Sequence, residues 1–442
     1  MQFAPAWLIK RLPVRTARHM AQRVAQPAHL LPSDTARQLL VDVSVIYQSD
    51  ARTGIQRVVR SLLLQLLAAP PVGYQVCPVF ATRRQPYSHA APGFMTDAAQ
   101  PQVQPQPQAI KPIVVKPGDM FLGLDLSAHL LPRHHSQLLK WKRSGVALHV
   151  MVYDLLPLQN PEWFNAKTTH NFSRWVNWVA VYADSAICIS AFVKVELAAW
   201  LAARFGLPSG SLPTSTIVLG ADIEASAPSG GLPPDADFLL ARMRTTPAVL
   251  MVGTIEPRKG YDQALAAFEQ LWQQPGKAPL LVIVGRPGWK TAALQQTLRA
   301  HPQAGKRLFW LEDASDEFLA RLYAACSGVL VASRAEGFGL PLVEAALYGK
   351  PMLARDIAVF RETPVAGVQY FSGDAPQTLA TSIESWLKHG SVVRQTVLNN
   401  HAPTWQLAAA QLLRALGLTQ PPASLKVSDQ NDSNHRADGA MA

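Results

Sequence analysis

No apolar run in this chain of 442 residues approaches the roughly 20 that cross a bilayer, and no unbroken apolar core precedes a small-residue cleavage site at its N-terminus. A spanning helix and a secretory signal are therefore not expected, and the cytoplasm is the compartment implied. Cysteine is scarce. Cys77, Cys188 and Cys326 are odd in number, far apart and set among apolar residues, which fits buried thiols better than disulfides or a metal site. Two common nucleotide signatures are missing as well: neither G-x-G-x-x-G after a first strand nor G-x-x-x-x-G-K-[ST] occurs, which argues against a dinucleotide dehydrogenase and a P-loop enzyme. Charged residues are few, 16% against 48% hydrophobic, a balance that suits a folded enzyme and not a disordered or fibrous chain.

Acidic residues are outnumbered 30 to 41 by Lys and Arg, for a formal net charge of +11. Such an excess points to nucleic acid, a membrane surface or anionic substrates. Its densest stretch is residues 1–36, where Lys10, Arg11, Arg15, Arg18 and Arg23 face Asp34 alone and mix with Trp7, Leu8, Ile9 and Leu12. Two readings fit. One is a segment held peripherally at the anionic inner face of the plasma membrane, gaining about 1 kcal/mol per basic side chain. The other is a basic leader in which Pro13 breaks any long helix. No basic helix is interleaved with base-stacking aromatics, so nucleic acid is not an expected partner.

The length favours two cores over one. From residue 39 short β-branched runs alternate with amphipathic stretches, the pattern of a parallel sheet covered by helices. LLVDVSVI (39–46), YQVCPVF (74–80), DMFLGL (119–124), ALHVMVY (147–153), SAICIS (185–190) and STIVL (215–219) read as strands of one doubly wound domain, interrupted by a surface loop at 98–108. A Pro, Gly and Ser-rich break at 224–237 separates this from a second alternation, with strands at 248–253, 279–285, 307–311, 328–333 and 351–354. The expected organisation is a leader (1–36), an N-terminal domain (37–223), a linker (224–245), a C-terminal domain (246–400), a terminal helix (401–418) and a disordered tail (419–442). The two domains form an α/β fold with a cleft between them, and ligands of such sheets lie beyond the strands' carboxyl ends.

The segment SRAEGFGLPLVEAALYGKP (333–351) follows one of those strands. Gly337 and Gly339 let the backbone pass close to a ligand, and Pro341 suits a first helical turn, so free amides near Gly339 and Leu340 suit an anion such as a diphosphate, with Phe338 a further donor-binding candidate. Glu336 on the loop and Glu344 inside the helix stand at opposite ends of that gap, where carboxylates accept bonds from sugar hydroxyls. EGFGLPLVE resembles the motif of retaining GT-B glycosyltransferases of family 4, group 1, which implies two Rossmann-like domains facing across a cleft. The resemblance assigns Glu336 to the transferred sugar and Glu344 to the ribose. VGTIEPRKGYDQALAAF (252–268) resembles the turn that clamps the diphosphate, which carries over to Gly253, Arg258 and Lys259. Two cations there offset the charge developing on the leaving phosphate. The likeness runs over residues 39–416, most strongly 248–362, and it implies no metal and no cofactor beyond the nucleotide-sugar substrate.

In the N-terminal half, Gly54 between the first strand and first helix is an acceptor-side candidate, and Arg57 and Arg60 after it face either phosphate or solvent. Asp154, ending a strand at the cleft, is a candidate for binding hydroxyls, and capping is its simpler role. Relatives often carry histidine where Tyr153 stands here. VDVSVIYQSDARTGIQRVVRSLL and VYDLLPLQNPEWF resemble bacterial mannosyltransferases of surface polysaccharide synthesis, implying GDP-mannose as donor and a glycan or lipid-linked glycan as acceptor. UDP- or dTDP-hexose as donor, or a non-catalytic sugar- or nucleic-acid-binding protein, are the alternatives. Asp235 and Asp237 form a formal Asp-x-Asp pair, but within the linker.

Overall fold

The computed structural model describes residues 12–24, 36–95, 112–275, 278–397 and 402–419. The loop expected at 98–108, the start of the leader and the tail from 420 lie outside them. The N-terminal sheet comprises β1 (Arg37–Asp42), β2 (Tyr74–Phe80), β3 (Ser88–His89), β4 (Met120–Gly123), β5 (Ala147–Val152), β6 (Ser185–Cys188) and β7 (Thr214–Thr216), in the order β3-β2-β1-β4-β5-β6-β7. Every neighbour pair is parallel except β2 with β3. The C-terminal sheet, with order β10-β9-β8-β11-β12-β13, is parallel throughout. Its strands are β8 (Ala248–Val252), β9 (Leu280–Val284), β10 (Leu308–Leu311), β11 (Gly328–Val331), β12 (Met352–Arg355) and β13 (Val368–Phe371). This is the two-domain doubly wound GT-B fold.

Continuous apolar strands are read on both faces. On β8, Ala248 and Leu250 enter one buried cluster while Val249 and Met251 enter another on the opposite side of the sheet. Each order reverses at a single point, between β1 and β4 and between β8 and β11, where a crevice opens at the strand ends. The helix Gly54–Ala68 starts from a capping box in which Thr53 and Gln56 satisfy one another's backbone amides, and it buries Val58, Val59, Leu62, Leu63 and Leu66.

Four departures from the sequence pattern have local causes. The first strand stops at Asp42 instead of running to Ile46, because Asp42 accepts from the Ser44 amide (2.9 Å) and Asp125 from those of Val45 and Ile46 (2.8 Å each), which turns Ser44–Gln48 into a short helix. In the leader, Val14–Val24 is a helix beginning just after Pro13, with Ala17 and Ala21 in the N-terminal core. Its Arg18 guanidinium, 6% exposed, donates to the carbonyls of Ala180 (2.9 Å), Ala183 (3.0 Å) and Ser211 (2.9 Å), so one side of this helix is bound into the domain while Arg15 and Arg23 are exposed. In the stretch 224–245, Ala236–Thr245 is a helix whose Ala236, Leu239, Leu240 and Met243 belong to the C-terminal core. The terminal helix Trp405–Ala415 returns to the N-terminal domain, where Trp405, Leu412 and Leu413 join its core. The Trp405 amide bonds Asp222 (2.8 Å) and the Ala221 amide bonds Pro403 (2.9 Å), so the chain's two passages between domains are tied side by side.

Candidate functional site

A cavity of about 910 Å³ lies between the two sheets' carboxyl ends. Gly54, Asp154, Gly253, Arg258, Lys259, Glu336, Phe338, Leu340 and Glu344 all line it; Gly339 begins the helix Leu340–Leu347 at its edge. Asp235 and Asp237 are exposed on the C-terminal domain and are not among its lining residues.

Arg258 and Lys259 sit on a one-turn helix, Pro257–Lys259, reached from the end of β8, while Glu336 lies on the loop after β11. These strands are sheet neighbours, so residues 77 and 78 positions apart meet. Arg258 Nη1 donates to Glu336 Oε2 (2.5 Å) and Lys259 Nζ to Oε1 (2.6 Å); Arg258 Nε also bonds Glu256 (2.8 Å). Burial by itself would raise the Glu336 carboxyl, but Arg258 and Lys259 reverse this and bring it down to about 2. As a carboxylate it accepts both of these hydrogen bonds. Gly253 follows β8, its carbonyl accepting from the Tyr261 hydroxyl (2.5 Å).

The glycine-rich loop is gripped by the other domain. A Cβ on Gly337 would lie 1.9 Å from the Tyr153 carbonyl oxygen, so only glycine fits, and the Gly337 carbonyl accepts from Ser190 Oγ (2.7 Å). Phe338, expected on the donor, lines the cavity and also packs into the N-terminal core cluster, at 7% exposure. Tyr153 is buried with its hydroxyl on the Leu124 carbonyl (2.6 Å). Asp154 accepts from the Leu156 amide (3.1 Å), two residues on, in a turn before a short helix whose N-cap position is Leu155, and it also faces the cavity. Burial raises its carboxyl, Arg258 opposes this, and Glu336 and Glu256 add to the rise. Gly54 packs on the motif helix, since a Cβ there would lie 3.6 Å from Leu340 Cδ1; Leu340 heads its helix and its amide has no partner within it.

Glu344 is already paired. Arg57, from the first turn of the helix Gly54–Ala68, bonds Glu344 Oε1 through Nη1 and Asp316 Oδ1 through Nη2 (3.0 Å), and the Tyr323 hydroxyl bonds Glu344 Oε2 (2.6 Å). Arg52 bonds the other oxygen of Asp316 (2.9 Å), which also accepts from the Ser229 amide (2.9 Å) and hydroxyl (3.0 Å). Burial raises the Asp316 carboxyl, but Ser229, Arg57 and Arg52 outweigh it and hold it below its ordinary value. Arg57 lines the cavity and through these pairs joins the domains. Arg60 pairs with Asp50 and is buried.

A match to the family described as "Glycosyl transferases group 1" covers residues 239–402, which takes in the Arg258–Lys259 turn, Glu336 and Glu344. Residues 239–402 are a glycosyl transferases group 1 domain. The chain is also 42% identical over 390 residues to the serotype-specific mannosyltransferase WbdA of Escherichia coli, a match that spans 88% of this chain and 46% of that protein. It is 29% identical over 158 residues to the O-antigen chain mannosyltransferase B of the same organism, covering 36% of this chain and 40% of that one. The chain thus spans about half the length, or less, of these curated relatives. Among solved structures it is similar to sucrose-phosphate synthase from Thermosynechococcus elongatus, with a TM-score of 0.59 at 18% identity, over 86% of this chain and 98% of that one. Anabaena HepE in complex with UDP and glucose has a TM-score of 0.55 at 18% identity, over 86% and 99%. These likenesses bear on the fold, which is the one expected.

Sequence reasoning missed the partners that meet the group 1 domain from outside or across its sheet: Arg52, the bridging role of Arg57, Asp316 and Tyr323. No helix among the described residues is long and apolar enough to cross a membrane. Asp316 carried a faint signal, an acid at the first turn of a helix where Ser315 already caps the Phe318 amide (3.0 Å), leaving its carboxylate available to arginine.

Proposed function

We propose that the chain is a retaining hexosyltransferase that moves mannose from GDP-mannose to a glycan acceptor in polysaccharide synthesis. The observation that carries this reading is the Arg258–Lys259–Glu336 cluster in the interdomain cavity of a chain 42% identical to a mannosyltransferase over most of its length. The donor's diphosphate lies at the amide of Leu340, with Arg258 and Lys259 sharing it with Glu336. The transferred sugar's hydroxyls bond Glu336 and Asp154, and the ribose hydroxyls bond Glu344. As the glycosidic bond breaks, the sugar carbon becomes oxocarbenium-like and negative charge grows on the diphosphate beside the two cations. The acceptor hydroxyl attacks the face that the phosphate leaves and passes its proton to the departing phosphate, so configuration is retained. Domain closure excludes water and aligns the reactants. No metal or organic cofactor enters this reading.

Calorimetry of the purified protein against GDP-mannose, other GDP-, UDP- and dTDP-sugars and a short nucleic acid tests it. The expected result is selective binding of GDP-mannose, weakened at least about tenfold in Arg258→Ala by loss of a charge-assisted contact. Binding of a UDP- or dTDP-sugar instead would replace the donor, and binding of nucleic acid alone would overturn the reading.

A further inference from the structure

A second feature of the cavity belongs to neither ionic cluster. The loop after β9 carries Trp289, 37% exposed and lining the cavity. The loop is tightly built. Pro287 pairs with Ile255, the Ile255 amide bonds the Arg286 carbonyl (3.0 Å), and Thr291 Oγ1 bonds the Ile255 carbonyl (2.9 Å). A Cβ on Gly288 would lie 2.3 Å from the Ile255 oxygen, so that position requires glycine. Gln295 bonds the Gly288 carbonyl (2.8 Å), and Lys290 is held at φ +56°, a conformation that non-glycine residues adopt only when their surroundings impose it.

The same loop reaches the other domain. The Trp289 indole donates to the Trp163 carbonyl (2.8 Å), Lys290 Nζ to the Glu162 carbonyl (2.7 Å), and the Phe164 ring lies 5.9 Å from the indole, centroid to centroid. With its N–H occupied, the indole is fixed in orientation and offers the cavity an apolar face. On the N-terminal wall of the same cavity, Asn165, next in sequence to Phe164, and Asn171 also line it, at and within the start of the helix Ala166–Tyr182. Their side-chain amides make no hydrogen bond among the described residues. Each amide can both donate and accept. A rigid aromatic face that shares one cavity with uncommitted amides matches a ligand that is apolar on one face and hydroxylated at its edge, which is the chemistry of a pyranose ring.

We propose that Trp289 is the platform of a subsite for a sugar unit of the acceptor glycan, one or more units back from the accepting hydroxyl, with Asn165 and Asn171 bonding its hydroxyls. This rests on the hexosyl-transfer reading. It assigns the unit to the acceptor because Trp289 is anchored to the N-terminal wall at 162–164, while Arg258, Lys259, Glu336 and Glu344 belong to the donor side.

The test compares the wild-type chain, Trp289→Ala, Trp289→Phe and Asn171→Ala on mannosides of one to four units, measuring kcat and KM for transfer from GDP-mannose, with donor affinity by calorimetry. In the wild type, KM falls as the acceptor grows past the length that reaches the subsite. Trp289→Ala raises KM about tenfold for the longer acceptors only, Trp289→Phe restores most of the loss, and Asn171→Ala gives a smaller rise of the same kind. An equal loss on acceptors of every length would assign the loop to holding the domains together, and a fall in donor affinity would assign the indole to the nucleotide; either overturns the subsite. Donor binding by the wild type without length dependence overturns the subsite alone, whereas failure to bind any nucleotide-sugar overturns the reading beneath it.

Discussion

Two ionic clusters in one cavity differ in how they are assembled. Arg258, Lys259, Glu256 and Glu336 come from the ends of two adjacent strands of a single sheet, so their meeting is a property of one domain. Arg52, Arg57, Asp316 and Glu344 come from two domains, 259 to 287 positions apart, and exist as a cluster only while the domains are together. The first cluster is set by the fold of one half; the second reports on the relation between halves. Glu344 therefore has two prospective partners, Arg57 and the ribose of the proposed donor, so donor binding and domain approach act on the same carboxylate.

The largest effect that would separate the clusters is expected at Glu336. Glu336→Gln should lower kcat on the order of 100-fold or more, the scale of removing a group that acts on transition-state charge, while GDP-mannose affinity by calorimetry changes less than about tenfold. An unchanged turnover would remove Glu336 from its proposed role. The same variant should alter acid stability. A carboxyl depressed to about 2 from its ordinary 4.5 contributes stability in full above that ordinary value and loses it as pH falls through about 2. Unfolding followed by circular dichroism between pH 5 and 2 should thus be shallower in Glu336→Gln, and identical profiles would contradict the pairing.

A smaller effect is expected at the bridge. Arg57→Met, Asp316→Asn and the double variant form a cycle whose interaction energy, from thermal unfolding, should be about 0.5–3 kcal/mol because both side chains are largely buried. Small-angle scattering should show a more open particle for Arg57→Met than for Arg258→Ala. Additive effects with no change in shape would mean that the bridge does not hold the domains. The smallest effect is expected from Asp237→Asn in the exposed Asp-x-Asp pair, with kcat and KM unchanged within about twofold; a collapse of activity would move the chemistry out of the cavity.

Much of the fold was legible because its signals are local. Runs such as AVLMV and PLLVIV are apolar on both faces and short, which a covered parallel sheet demands. Where the pattern misled, a side chain from elsewhere had intervened. Asp125 ends β1 early from 80 positions away, and Arg18 binds into the N-terminal domain through carbonyls more than 160 positions distant.

By itself the sequence determined the two parallel sheets, the break between them and the placing of Arg258, Lys259 and Glu336 beyond strand ends and of Glu344 on the helix that follows, because hydrophobic periodicity and turn chemistry act over a few residues. Only the tertiary structure decided that Glu344 meets Arg57, that Gly337 lies against Tyr153, that Trp289 is anchored to the opposite wall and that the last helix returns to the first domain. Each of these joins residues whose separation along the chain carries no pattern, and each is settled by which buried charge or apolar face finds a partner when two finished domains pack together.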